Sequence, residues 1–89
     1  MVKLIPLQAV HNKRLSFRLR NTLNTITIES RNGNLYLSLS QNGERVIINR
    51  ALKSFAPMGY GLQLVDLEGA EDPTYDKLGT RFQLWMFDE

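Results

Sequence analysis

The sequence has no cysteine and one histidine, His11, among its 89 residues. The first absence excludes disulfides, thiolate metal sites and cysteine nucleophiles, and a single histidine excludes a multi-histidine metal site. A chain of this length buries only roughly 60–65% of its unfolded surface. Small domains with so thin a core are often supported by disulfides, a metal or a partner chain. We therefore expect no cofactor, and a partner chain as the remaining support.

Long apolar runs are also missing. Residues 1–7 are too short for the apolar core of a signal peptide, and Pro6 interrupts them. No window approaches the roughly 20 apolar residues that a membrane-spanning helix needs. These features predict a soluble protein that is made and folded in a cytoplasm and does not bind membranes.

Charge is unevenly distributed along the chain. Residues 1–53 contain nine Lys and Arg against two acids, a local net of +7, whereas residues 54–89 contain two against seven, a local net of −5. Such asymmetry is typical of a basic face for nucleic acid or of two faces that meet complementary partners. An equally acceptable interpretation is that these charges lie on solvated sheet edges and that the two halves of the chain interleave in space.

The dominant sequence period is two, which predicts strands with one solvated face. It is clearest in four segments that together predict an antiparallel meander. Asn32-Gly33 and Asn42-Gly43 separate the last three of them, and Asn-Gly favours the type I′ turn because both central residues need positive φ. The four segments are residues 14–20, 25–29, 35–40 and 45–49.

The second half of the chain is less regular, with further strands predicted at 62–67 and 81–87. Leu4-Ile5 adds a short first strand that Pro6 confines to an edge or an end. No ten-residue segment has a helical period. The sequence therefore predicts one all-β domain over residues 1–89, with six to seven short strands and little or no helix. Its architecture is a small antiparallel β-barrel or a two-layer β-sandwich.

The residues that catalysis would use are poorly arranged. His11 lies in a polar link before a strand, and no serine has a nucleophile elbow or a base at a suitable spacing. The acids between Asp66 and Asp76 lack the alternation and closing glutamate of a calcium loop. Gly59-Tyr60-Gly61 precedes no helix and so forms no phosphate cradle. We therefore predict a protein that is not an enzyme.

Two kinds of binding surface remain. Arg14, Arg18 and Arg20 share one face of the second predicted strand. Basic side chains interleaved with aromatic ones are typical of barrels that bind single-stranded nucleic acid, which is the alternative function. Arginine is also enriched at protein interfaces, and the ordinary aromatic content disfavours nucleic acid.

The last predicted strand favours protein contacts. Phe82, Leu84 and Met86 supply a core, so Trp85 and Phe87 must face the opposite way. Either the strand is central, with Trp85 in a two-layer core, or Trp85 and Phe87 meet a partner. The predicted interface consists of three arginines, three acids and five apolar anchors, the latter if exposed: Arg14, Arg18, Arg20, Glu68, Glu71, Asp72, Phe55, Met58, Tyr60, Trp85 and Phe87.

Several motifs, taken in order, resemble a known family. They are Ile5-Pro6-Leu7, Phe17-Arg18-Leu19-Arg20, Leu35-Tyr36-Leu37-Ser38-Leu39, Gly59-Tyr60-Gly61-Leu62 and the segment from Tyr75 to Leu84. Together they resemble the cyanophage-type baseplate plug proteins of contractile-tailed bacteriophages. The loop from Ser54 to Met58 departs from that pattern. Arg81, within the most distinctive motif, either hydrogen-bonds its own loop or reaches a neighbouring subunit.

This resemblance implies a non-enzymatic virion protein at the centre of the tail baseplate, assembled in the bacterial host cytoplasm. Its partners would be other tail proteins of the tube, hub or spike, and a homo-oligomer within the assembly is compatible with the pattern. In such an assembly, complementary charges fix orientation and partner choice.

Overall fold

The structure, a computed structural model, describes residues 2–10, 12–19, 21–56 and 58–87. Seven strands form two antiparallel sheets, and one turn of 3-10 helix spans Tyr75–Lys77. The strands are β1 Val2–Ile5, β2 Asn12–Leu19, β3 Thr22–Arg31, β4 Asn34–Gln41, β5 Glu44–Ala51, β6 Leu62–Asp66 and β7 Phe82–Phe87. The predicted all-β class is confirmed. The sheets do not close into a barrel, so the sandwich is the correct alternative.

The four-stranded sheet is the predicted meander, in the order β2-β3-β4-β5. Both Asn-Gly pairs adopt positive φ, with Asn32 at +51° and Gly33 at +82°, and Asn42 at +51° and Gly43 at +86°. These two-residue loops fix the register because their twist matches that of the flanking strands. Arg31 therefore lies opposite Asn34.

The three-stranded sheet has the order β1-β7-β6 and joins the two ends of the described chain. Val2 lies opposite Phe87, and Ile5 opposite Leu84. Pro6 follows the last residue of β1, an edge strand, where a missing N–H interrupts no ladder. β7 is thus the central strand of this sheet.

The core lies between the inner faces of the two sheets. The four-stranded sheet contributes alternate residues of β3 and β4, and the three-stranded sheet contributes alternate residues of its own strands. This alternation places one side of every strand in the core. The apolar residues with 1% or less exposure are Ile5, Ile26, Ile28, Leu37, Leu39, Leu64 and Leu84.

One detail differs from expectation. The apolar run Val46-Ile47-Ile48 predicts burial on both faces, but only Ile47 is buried and Ile48 is 61% exposed. The reason is that β5 is an edge strand whose pairing with β4 shifts register twice. Such bulges bend an edge strand and leave residues unpaired. Of the residues in the predictions, His11 and Arg20 lie outside the described residues.

None of the helical segments in the described ranges is long and apolar enough to cross a membrane.

Candidate protein interaction surfaces

The outer side of the three-stranded sheet carries an apolar surface. Leu4 lies directly opposite Trp85, and Val2 directly opposite Phe87, so these pairs share one side of the sheet. Val2 and Leu4 are each 44% exposed and Phe87 is 50% exposed, while Trp85 is half-buried. With half-buried Val65 on β6, these five residues are the apolar outer face.

β7 is apolar on both sides, as the sequence predicts. Phe82, Leu84 and Met86 face the core and are almost fully buried. Trp85 and Phe87 point the other way, toward the apolar outer face. The second layer of the sandwich covers only the inner side, so nothing in the described chain encloses Phe87.

The loop between β5 and β6 lies beside this face. The Phe55 N–H donates to the Leu64 carbonyl at 2.8 Å, and the Gln63 side-chain amide donates to the Phe55 carbonyl at 3.3 Å. Phe55 and Tyr60 are 45% and 51% exposed. Both have positive φ, which is uncommon for bulky residues.

Met58 differs from the other predicted apolar anchors. Its side chain is 3% exposed and belongs to the core cluster. An anchor must reach a partner, so Met58 cannot serve as one. The sequence of the loop does not indicate that Met58 is buried, because an apolar side chain in a loop can either pack into the core or remain exposed to a partner.

The outer side of the four-stranded sheet is polar and basic. Arg14 and Arg18 lie on β2, and Arg31 and Arg45 lie at the turn ends of β3 and β5. These four residues are the arginine face. Between them is a floor of small hydroxyl side chains, with Arg14 opposite Thr27. The cross-strand rows are Arg14-Thr27-Ser38 and Ser16-Thr25-Ser40-Arg45.

Arg31 is held in place at one end of this face. It donates to Glu29 at 3.3 Å and to the Asn49 side-chain oxygen at 3.0 Å. Its guanidinium also lies 5.1 Å from the centre of the Tyr36 ring, which is within cation–π range. The surface between Arg14, Arg31 and Arg45 is a concavity of about 580 Å³.

Arg31 and Arg45 were not singled out from the sequence, although a signal for them exists. The two Asn-Gly turns fix the pairs Arg31–Asn34 and Gln41–Glu44. Counting outward from those pairs places Arg31 and Arg45 on the same side as Thr27, which lies opposite Arg14. Arg20, the third arginine in that prediction, is outside the described residues.

The acidic loop, residues 66–76, begins at the last residue of β6. Asp66 is its only buried acid, and the Asp66 carboxylate accepts from Arg81 Nε at 2.7 Å and Nη2 at 2.9 Å. It also accepts from the backbone N–H groups of Glu68 at 2.9 Å and Glu71 at 3.0 Å. Arg81 therefore hydrogen-bonds its own loop, which answers the question that the sequence left open.

These contacts shift the ionisation of both partners. The Arg81 hydrogen bonds hold the pKa of Asp66 far below its usual value, despite opposing desolvation, and the two backbone N–H donors act in the same direction. The Asp66 carboxylate raises the pKa of Arg81 in turn. The pair stays charged at neutral pH and fixes the loop, on which Glu68, Glu71 and Asp72 are exposed.

The described residues contain no group of three or more potential His, Cys, Asp or Glu metal ligands. The described surfaces carry apolar side chains on one sheet, guanidinium groups on the other and carboxylates on a fixed loop, all of which suit non-covalent contacts with another molecule.

The chain was compared with known families. Residues 2–89 match the family described as the cyanophage baseplate Pam3 plug gp18. The chain belongs to this family. The match covers nearly the whole chain and confirms the resemblance predicted from the ordered motifs. Comparison with curated proteins gave no match.

Membership in the baseplate plug family identifies the chain as a structural component of a phage baseplate, and so of the virion tail. It indicates a structural rather than a catalytic role, and contact with other baseplate proteins. The interface residues predicted from the sequence remain a prediction, although the structure groups the exposed ones on three surfaces.

Proposed function

We propose that this plug-family protein works by binding other baseplate proteins through its apolar outer face. The observation that carries the proposal is the two-sided apolar character of β7. Its inner side completes the core, while Val2, Leu4 and Phe87 on the outer side remain about half exposed. A partner that covered this face would bury apolar surface that the sandwich itself leaves in water.

The composition of the face suits a protein partner. Trp and Phe are enriched in the cores of interfaces, where a few aromatic side chains supply most of the binding free energy. Trp85 lies between Leu4 and Gln63, so its ring has neighbours that limit its rotamers before binding. Less side-chain entropy is then lost when a partner docks.

The partner that we propose is a tail protein of the tube, hub or spike, met during assembly in the host cytoplasm. Phe55 and Tyr60, exposed in the neighbouring loop, extend the contact beyond the sheet. The charged surfaces elsewhere on the molecule would fix its orientation, since complementary charge contributes more to specificity than to affinity.

The first test is the double variant Trp85→Ala, Phe87→Ala. We expect its dissociation constant for a purified tube, hub or spike protein to rise at least about 30-fold, because truncating a central aromatic anchor costs 2 kcal/mol or more. The measurement is a pull-down with each protein in turn, followed by calorimetric titration of the protein that binds.

The matched control is Ile48→Ala. Ile48 is also an exposed apolar residue, at 61%, but lies on β5 of the other sheet. It should leave binding unchanged, and circular dichroism should show both variants folded. Wild-type affinity in the folded double variant would remove the apolar outer face from the proposal.

A further inference from the structure

The arginine face carries more positive charge than the carboxylates of its own chain neutralise. It presents four arginines, and among the described residues its one ion pair with a carboxylate joins Arg31 to Glu29. Among the described residues, no carboxylate lies within ion-pair distance of Arg14, Arg18 or Arg45. Like charges on one surface repel each other, so a ligand that brings carboxylates would lower the energy of this face.

The shape of the face fits a loop. Its floor is made of serine and threonine, with Ser16 and Thr25 hydrogen-bonded at 3.0 Å. Arg14 on β2 and Arg45 on β5 are separated by three strand spacings, about 14 Å. The concavity between them, about 580 Å³, has room for a few side chains of a protruding loop.

The same chain provides a loop of the opposite charge. The Asp66–Arg81 pair and two backbone N–H bonds to Asp66 fix the acidic loop. Glu68 and Glu71 are exposed on it. Glu71 lies 3.4 Å from Arg81 but keeps 76% of its side chain exposed, and an ion pair so open to solvent contributes little. Replacing this Glu71–Arg81 ion pair with one between Glu71 and a guanidinium of another molecule would therefore cost little free energy.

Within one chain these two parts do not meet. The acidic loop begins at the last residue of β6 of the three-stranded sheet, whereas the arginine face is the outer side of the other sheet. None of the ion pairs among the described residues joins Glu68, Glu71 or Asp72 to an arginine of the arginine face. The two surfaces can be brought together only by a second molecule.

We infer that the arginine face receives the acidic loop of a second copy of this chain. Carboxylates accept the paired hydrogen bonds that guanidinium groups donate, which makes this pairing strong and directional. The contact joins different surfaces of the two copies, so it is heterologous and repeats head to tail, closing into a ring if the rotation allows.

Nucleic acid fits this face less well. Binding of a single strand relies on aromatic side chains on which bases stack. Of the described residues on this side of the sheet, only Tyr36 is aromatic, and Arg31 already lies against its ring. Self-association concerns a different surface and a different partner from the proposed function, so either can fail without the other.

Sedimentation velocity over a range of protein concentrations, at low and high salt, tests the inference. We expect association at low salt that weakens as salt is raised, because the carboxylate–guanidinium contacts are screened. A protein that stays monomeric at every concentration and salt would overturn the inference. So would a monomer that binds a single-stranded oligonucleotide through this face.

Charge reversal identifies the two surfaces. We expect the face variant Arg14→Glu, Arg45→Glu and the loop variant Glu68→Lys, Glu71→Lys each to weaken self-association at least about tenfold. All four positions are exposed, so the fold should persist, which circular dichroism checks. Combining the four substitutions in one chain should restore association, as should mixing the two variants.

The control is Arg50→Glu, which reverses an exposed charge on β5 that lies outside both the arginine face and the acidic loop. Its self-association should equal that of the wild type. If both reversals left association unchanged, or if the combined variant failed to recover it, the contact would not be the one that we infer.

Discussion

Replacing Gly61 with alanine is expected to lower the free energy of unfolding by at least about 2 kcal/mol. Gly61 has a φ of +78°, which L side chains rarely adopt, and a Cβ there would collide with the carbonyl oxygen of Phe87. The Phe87 N–H also donates to the Gly61 carbonyl at 2.8 Å, so moving the backbone apart would break the ladder between β6 and β7. Chemical denaturation measures the loss.

The matched control for Gly61→Ala is Gly43→Ala. Gly43 has a similar φ of +86°, but nothing lies within 4 Å of the position that its Cβ would take. It should therefore cost only the conformational strain, about 1 kcal/mol. Equal losses in the two variants would show that close approach to Phe87 has no effect on stability.

Replacing Asp66 with asparagine is expected to lower the melting temperature by more than about 10 °C. The asparagine would place an amide donor among N–H groups that now donate to a carboxylate, and would leave the Arg81 guanidinium, only 13% exposed, without its charged partner. Loss of the Asp66 carboxylate should also remove the contacts that fix the acidic loop. Thermal unfolding followed by circular dichroism measures it.

Glu71→Gln is the control for Asp66→Asn. Glu71 also approaches Arg81, at 3.4 Å, but its side chain is 76% exposed, so we expect almost no change in melting temperature. A similar fall in both variants would mean that general charge balance, rather than the buried pair, stabilises this loop.

The Asp66–Arg81 pair also predicts how stability depends on pH. Arg81 holds the pKa of Asp66 below the value of about 4 that it has in the unfolded chain. The contribution of Asp66 is therefore fully present above that value and is lost progressively as the pH falls below it. We expect the stability difference between wild type and Asp66→Asn to be smaller at about pH 3 than at pH 7.

Asp76 does not affect this comparison of wild type and Asp66→Asn. Its pKa is also lowered, mainly by a hydrogen bond from the Thr74 side chain, but wild type and variant share it. Its effect on the difference therefore cancels. A difference that stayed constant between the two pH values would contradict the ionisation that we assign to Asp66.

The elements that the sequence predicts well are those set by near neighbours. A period of two and an Asn-Gly turn determine which side of a strand is buried and which residue it faces, so the meander and its register follow from residues a few positions apart. The opposed directions of Leu84 and Trp85 follow from the same alternation.

The features that the sequence does not predict depend on contacts between distant segments. Nothing near Asp66 indicates that Arg81 will meet it, since the two lie at separate ends of the acidic loop and its 3-10 turn. The contribution of Val2 and Leu4 to the apolar outer face depends on the pairing of β1 with β7, which no local turn specifies. Met58 is buried because it belongs to the core cluster, whose other members lie on strands of both sheets.

The pairing of β1 with β7 has a consequence for the order in which the molecule acquires its structure. In the meander, each strand meets the next across a short reversal, so little chain entropy is lost at each closure. β1 must instead wait for β7, the seventh of the described strands in chain order, and their pairing closes almost the whole described chain into one loop. The apolar outer face is assembled by that final step, so a nascent chain does not display it until the rest of the sandwich is ready to fold.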